Sequence, residues 1–137
     1  MLSETERAFL MRRRVGRLAT IGHSGQPHIV PVCFVVDERG VYTAIDEKPK
    51  SGRVLKRVQN ILEKPDVAFL ADHYEEDWSQ LGWVRIDGSA EFLPEGGERD
   101  RASRLLRSRY PQYESMELSA VIAIRILRVL SWGDMDS

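Results

Sequence analysis

The ten residues Lys48-Pro49-Lys50-Ser51-Gly52-Arg53-Val54-Leu55-Lys56-Arg57 hold five of the chain's 20 lysines and arginines and none of its 21 aspartates and glutamates. A chain of formal net charge −1 has thus gathered its positive potential in one place. The stretch joins a strand-like run, Val41 to Ile45, to a helix-like run, Gly52 to Glu63. A helix start leaves backbone N–H groups without partners, and lysine and arginine add charge-assisted donors, so the junction has the ingredients of a phosphate site. Ser51 and Gly52 are small enough to let an anion approach main-chain N–H groups. Lys50, Ser51 and Arg57 are the leading candidates to hold it, with Arg57 one helical turn beyond Arg53. The charge pattern alone equally allows a solvated helix face.

Little else in the chain could do chemistry by itself. His23, His28 and His73 lie far apart without metal-ligand spacing, and Cys33 has no cysteine to pair with. They read as ordinary turn, strand and loop residues. There is no dinucleotide fingerprint, no nucleophile elbow and no phosphate-loop motif. No side chain is therefore assigned as catalytic and no metal is expected; if the protein is an enzyme, a cofactor carries the reaction. A flat heteroaromatic cofactor needs apolar or aromatic walls. Of Trp78, Trp83 and Trp132, Trp78 sits in the acidic loop Glu75 to Gln80 and has the weakest structural reason to be there. Packing in a core or interface is the competing role for all three.

The elements that would position these residues follow from patterning. Ser3 and Glu6 form a capping-box pattern opening a helix that runs to Arg14, with Arg12, Arg13 and Arg14 suited to its negative end. Gly16 to Gly22 reads as a strand, His23 to Pro27 as a turn, His28 to Val36 as a second strand, and Asp37 to Gly40 as another turn before Val41 to Ile45. The His28 to Val36 run is apolar on both faces, so both sides must be covered: a barrel interior on one, a subunit or a flat ligand on the other. Pro31 cannot donate to a ladder and marks an edge or a bulge. In the following helix, Val54, Leu55, Val58, Ile61 and Leu62 form one apolar stripe and leave Arg53, Arg57, Asn60 and Lys64 on the other side, before Pro65 ends it. Strands follow over Asp66 to Tyr74 and Trp83 to Leu93, with Gly88 a bulge or bend. A helix from about Glu98 to Arg109 and a strand from Ser119 to Leu130 complete the chain. The order predicts a small β barrel with helices closing it, mainly β within an α+β class.

Totals bound the function. The 137 residues make one domain, 1–137, with a composition ordinary for a globular protein (42% hydrophobic, 30% charged). A sequence pI near 6.3 argues against a general nucleic-acid binder. A polar, acidic start, a single cysteine and no long apolar run predict a soluble cytoplasmic protein without a membrane partner.

The order and spacing of these segments resemble a known family. Val15-Gly16-Arg17-Leu18-Ala19-Thr20-Ile21, Gly25-Gln26-Pro27-His28-Ile29-Val30-Pro31-Val32-Cys33-Phe34 and a basic junction ending Asn60-Ile61-Leu62-Glu63-Lys64-Pro65-Asp66-Val67 are similar to the split-barrel flavin and deazaflavin oxidoreductases related to pyridoxamine 5′-phosphate oxidase. Glu76-Asp77-Trp78 and Trp83-Val84-Arg85-Ile86-Asp87-Gly88 resemble the branch that uses the deazaflavin coenzyme F420. The resemblance implies a six-stranded antiparallel split β-barrel with flanking helices, of the FMN-binding type. It further implies a homodimer with cofactor sites at the subunit interface, F420 or FMN as cofactor, and hydride transfer to or from a small conjugated substrate. It places Val30, Pro31 and Val32 beside the ring, Thr43 and Ile45 on the neighbouring strand, Lys48, Lys50, Ser51 and Arg57 on the phosphate tail, and Trp78 near the cofactor. The ending Leu130 to Ser137 departs from the longer basic C-terminal region of true pyridoxamine 5′-phosphate oxidases, so vitamin B6 oxidation is not expected. The competing readings are a non-catalytic carrier of flavin, F420 or haem on the same fold and, more remotely, a nucleic-acid contact through the basic helix.

Overall fold

The computed structural model describes residues 1–46 and 55–137. In chain order the elements are α1 (Glu4–Met11), β1 (Gly16–Ile21), β2 (Pro27–Val32), β3 (Val35–Asp37), β4 (Gly40–Ile45), α2 (Lys56–Glu63), β5 (Asp66–His73), β6 (Gly82–Phe92), α3 (Gly97–Arg109) and β7 (Ala120–Gly133), with short 3-10 turns at Trp78–Gln80 and Pro111–Ser115. The strands form one antiparallel sheet in the order β2-β1-β5-β6-β7-β4-β3. It curls around an interior of Leu18, Val32, Phe34, Val41, Phe69, Val84, Ile86, Ile122 and Ile124, which is the split-barrel architecture.

The sheet has seven strands rather than the six expected, because His28 to Val36 does not run through as one strand. It breaks at Cys33 and Phe34, where side chains replace the ladder. The Phe34 N–H donates to the Tyr110 hydroxyl at 3.0 Å, and the Phe34 carbonyl accepts from Arg109 Nε at 2.9 Å and from Tyr110 at 3.0 Å. The Phe34 ring drops inside against Phe69, centroids 4.9 Å apart and edge-on. The chain thereby crosses from one edge of the sheet to the other: β2 pairs only with β1, and β3 only with β4.

A second core lies outside the curl, where Val35, Tyr42, Ala44, Val121 and Ala123 pack against Ala102 and Leu106 of α3 and against Tyr110, Tyr113 and Leu118. β4 is therefore buried on both faces. β6 alternates between buried and half-buried positions, and its register against β7 slips at Asp87/Gly88, the bulge that Gly88 signals. A Cβ at Gly88 would lie 2.5 Å from the Arg125 carbonyl oxygen and 2.7 Å from Ile124 Cγ2, so only glycine fits there.

Two helix boundaries differ from the sequence reading. α1 has the capping box at Ser3 and Glu6 but ends at Met11, so Arg12 is its C-cap and Arg13 and Arg14 lie beyond it. α2 begins at Lys56, and the residue before it is extended (Leu55, φ −60°, ψ 144°); the expected start at Gly52 lies outside the described residues. The stripe on α2 is also displaced. Leu62 is 69% exposed, while Asn60 is buried and donates Nδ2 to Thr20 Oγ1 at 3.0 Å. Asn60 thus binds α2 to β1 instead of facing water, because the buried Thr20 hydroxyl offers it an acceptor.

Candidate functional site

The strand residues expected beside a ring divide by side. Val32 is buried and Val30 half-buried in the same interior cluster as Ile45, while Pro31 lies on the outer face opposite Arg17. Because β2 pairs through only one of its edges, the backbone groups of its other edge have no strand partner among the described residues. Pro31 is tolerated there for the same reason. The two-sided apolar character of the run is thus resolved: Val30 and Val32 line the interior, and the Ile29 and Pro31 face is open, with Ile29 64% exposed.

Thr43 and Ile45 have buried side chains. Thr43 Oγ1 donates to the Cys33 carbonyl at 2.7 Å, which brings β4 against the residue that follows Val32. The Ile45 carbonyl accepts from the Ser119 N–H at 2.8 Å and its hydroxyl at 3.0 Å. The fold therefore does assemble Val30, Val32, Thr43 and Ile45, but the last two can offer a ligand only backbone. Lys48, Lys50 and Ser51 lie outside the described residues. Trp78 stands apart in the 3-10 turn after β5, 70% exposed and without an aromatic partner among the described residues.

Arg57 is half-buried on α2, one turn before Asn60. Among the described residues, Arg57 Nε and Asn60 Oδ1 of this helix and His28 Nδ1 of β2 are enclosed without a hydrogen-bond partner. His28 sits opposite Thr20, to which Asn60 donates. Buried polar atoms are normally satisfied, so this set of donors and acceptors could meet a polar ligand group. His28, Thr20 and Asn60 were not legible as site residues. The spacing of Arg57 and Asn60 was the available signal, but it read as a solvent face.

Where β2 leaves for β3 and β4 ends, a cavity of about 390 Å³ is lined by Arg14, Val15, Cys33, Asp46, Tyr110, Gln112, Tyr113 and Met116. Cys33, which follows β2, and Asp46, which follows β4, both line this space. Burial, with added repulsion from Cys33 and Asp46, pushes the Tyr113 hydroxyl up from its ordinary value, at which it is already protonated at neutral pH. The cavity therefore pairs an apolar wall with an O–H group able to donate. Among the described residues no group of histidine, cysteine, aspartate and glutamate could hold a metal ion.

Comparison with known proteins decides the family. The sequence profile described as pyridoxamine 5′-phosphate oxidase matches residues 2–133. The chain belongs to the pyridoxamine 5′-phosphate oxidase family. Within that oxidoreductase family, a 5a,11a-dehydrotetracycline/5a,11a-dehydrooxytetracycline reductase of Streptomyces rimosus is 32% identical over 133 residues, covering 96% of this chain and 82% of the relative. A conserved hypothetical protein of Mycobacterium tuberculosis superposes with a TM-score of 0.78 at 25% identity, covering 97% of this chain and 86% of that one. A FAD-binding protein of Mesorhizobium loti gives a TM-score of 0.67 at 28% identity, covering 95% of this chain and 94% of that one. The family's split barrel is the fold found here. None of the described helices of this family member is long and apolar enough to cross a membrane.

Proposed function

We propose that the protein is a homodimeric oxidoreductase that binds coenzyme F420 or FMN and passes a hydride between the cofactor ring and a small conjugated substrate. The observation that carries this reading is the 32% identity to a reductase along nearly the whole chain. The bound cofactor would supply the hydride chemistry. The chain's own residues bind, orient and shield. The free edge of β2 at Val30 to Val32 offers main-chain groups to the ring. Arg57, His28 and Asn60 meet the polar tail together with Lys48, Lys50 and Ser51, and Tyr113 donates a hydrogen bond into the adjoining cavity.

Dimerisation is supported by the outer face of the sheet half that α3 leaves uncovered. Across β2, β1, β5, β6 and β7, the paired residues Pro31, Arg17, Leu70, Arg85 and Leu130 form one row. Beside it Trp83 pairs with Trp132, which is 54% exposed, and the groove between Arg17, Leu70, Asp72, Trp83 and Arg85 encloses about 590 Å³. Two tryptophans and aliphatic side chains on an open sheet suit a self-complementary contact.

Purified protein is titrated separately with F420 and FMN while cofactor fluorescence is recorded, and the reduced complex is then offered conjugated enones. Micromolar binding of one cofactor with turnover supports the proposal. No such binding of either overturns it, and binding without turnover of any acceptor assigns the chain to the carrier reading.

A further inference from the structure

Four arginines, Arg12, Arg13, Arg14 and Arg17, line one concavity of about 440 Å³ with Val15, Asp72, His73 and Tyr74. It lies between the residues that follow α1 and the end of β5. Asp72 is the only carboxylate in its lining among the described residues. Glu75, just outside, is 2.9 Å from His73 Nε2.

The donors already in use do little to offset this charge. Arg12 donates to the main-chain oxygens of Met135 and Ser137 at 2.5 and 3.0 Å, Arg13 to that of Ser137 at 2.7 Å, and Arg14 to that of Arg109 at 2.7 Å. Were the Ser137 oxygen half of a carboxylate, four guanidinium groups would still face two acids. Arg13 is the decisive residue. It is only 9% exposed, its guanidinium lies 4.4 Å over the Phe9 ring, and its enclosed Nε has no hydrogen-bond partner. Burial and the adjacent Arg12 lower its affinity for the proton, against the pull of Asp72. A buried cation beside a second cation costs stability unless an anion joins them. Guanidinium groups are built for two-point contact with oxyanions.

We infer that this concavity binds a multivalent oxyanion, of the phosphate or carboxylate class, with Arg13 as its floor and Arg14 and Arg17 as its outer arms. None of the described residues of the basic stretch, Leu55 to Arg57, lines it. Arg14 and Val15 also line the cavity beside Cys33 and Tyr113, so the bound anion would sit next to the proposed reaction site.

The test uses the full chain without cofactor. Pyrophosphate and citrate are titrated calorimetrically at matched ionic strength, so that general screening cancels. The two probes separate the phosphate from the carboxylate source. Saturable binding of at least one, weakened at least tenfold in Arg17→Gln and in the double variant Arg14→Gln/Arg17→Gln, supports the site. Arg17 is exposed in the single chain but also lies on the proposed dimer face, so sedimentation velocity first checks that Arg17→Gln keeps the wild-type mass; its binding is then read separately if the double variant melts early. Absence of saturable binding, equal binding in Arg17→Gln, or loss of binding in Lys48→Gln/Lys50→Gln overturns it.

Discussion

Arg125 and Glu98 form a two-point ion pair, Nη1 to Oε2 at 2.6 Å and Nη2 to Oε1 at 2.9 Å, that fastens β7 to the first turn of α3. The Tyr42 hydroxyl donates to the same Glu98 Oε2 at 2.7 Å, and Arg125 also reaches Glu91 at 2.5 Å. The hydrogen bonds from Arg125 hold the Glu98 carboxyl at about 2, and burial with the bond to Glu98 pushes the Tyr42 hydroxyl up to about 12.

Replacing this carboxylate leaves Arg125 and the buried Tyr42 hydroxyl short of an acceptor. Glu98→Ala should lower unfolding free energy by about 1 to 3 kcal/mol at pH 7. Because the folded Glu98 titrates below its ordinary value of 4.5, its contribution is complete above that pH and fades as pH falls towards 2. Urea unfolding of both proteins between pH 7 and 2 should show the gap closing on the acid side. A constant gap would remove the ion pair as its cause.

At the β6 bulge, Gly88→Val should cost about 1 to 3 kcal/mol, since its side chain would displace the Arg125 carbonyl and Ile124. The shift in the urea midpoint measures it. An unchanged midpoint would mean that the bulge adapts without strain.

Arg57→Ala should weaken cofactor binding by about 1 to 3 kcal/mol, the worth of one charge-assisted hydrogen bond. Fluorescence titration of wild type and variant gives the two dissociation constants. Equal values would take Arg57 out of the site.

On the uncovered sheet face, Trp83→Lys should convert a dimer to a monomer while leaving the far-ultraviolet circular dichroism unchanged. Sedimentation velocity reads the mass directly, and a wild type that already sediments as a monomer would remove the proposed interface.

The sequence carried the strands well because alternation and turn residues agreed: the expected bounds Gly16 to Gly22 and Val41 to Ile45 lie within one residue of the observed ones, and Gly88 does mark the bulge. It did not carry the break at Phe34, which depends on Tyr110 and Arg109 arriving from some 75 residues later. Asn60 failed for a related reason. A polar residue on a helix reads as solvent-facing unless its acceptor is known, and Thr20 lies 40 residues earlier. The Arg12 to Arg14 cluster was visible as charge, yet read as a helix end, since nothing local shows that α1 stops at Met11 or that Arg13 is buried.

The crossing at Cys33 and Phe34 also constrains how the protein folds. One short segment supplies both edges of the sheet, through the local hairpins β1-β2 and β3-β4, so the sheet is complete only when β4 has found β7, across about 80 residues of chain. Pairings of such range put this domain among the slower folders, on the order of milliseconds to seconds. Tyr110, whose hydroxyl bonds both to Phe34 and to the Arg14 carbonyl, would then report on the final closure rather than on early collapse.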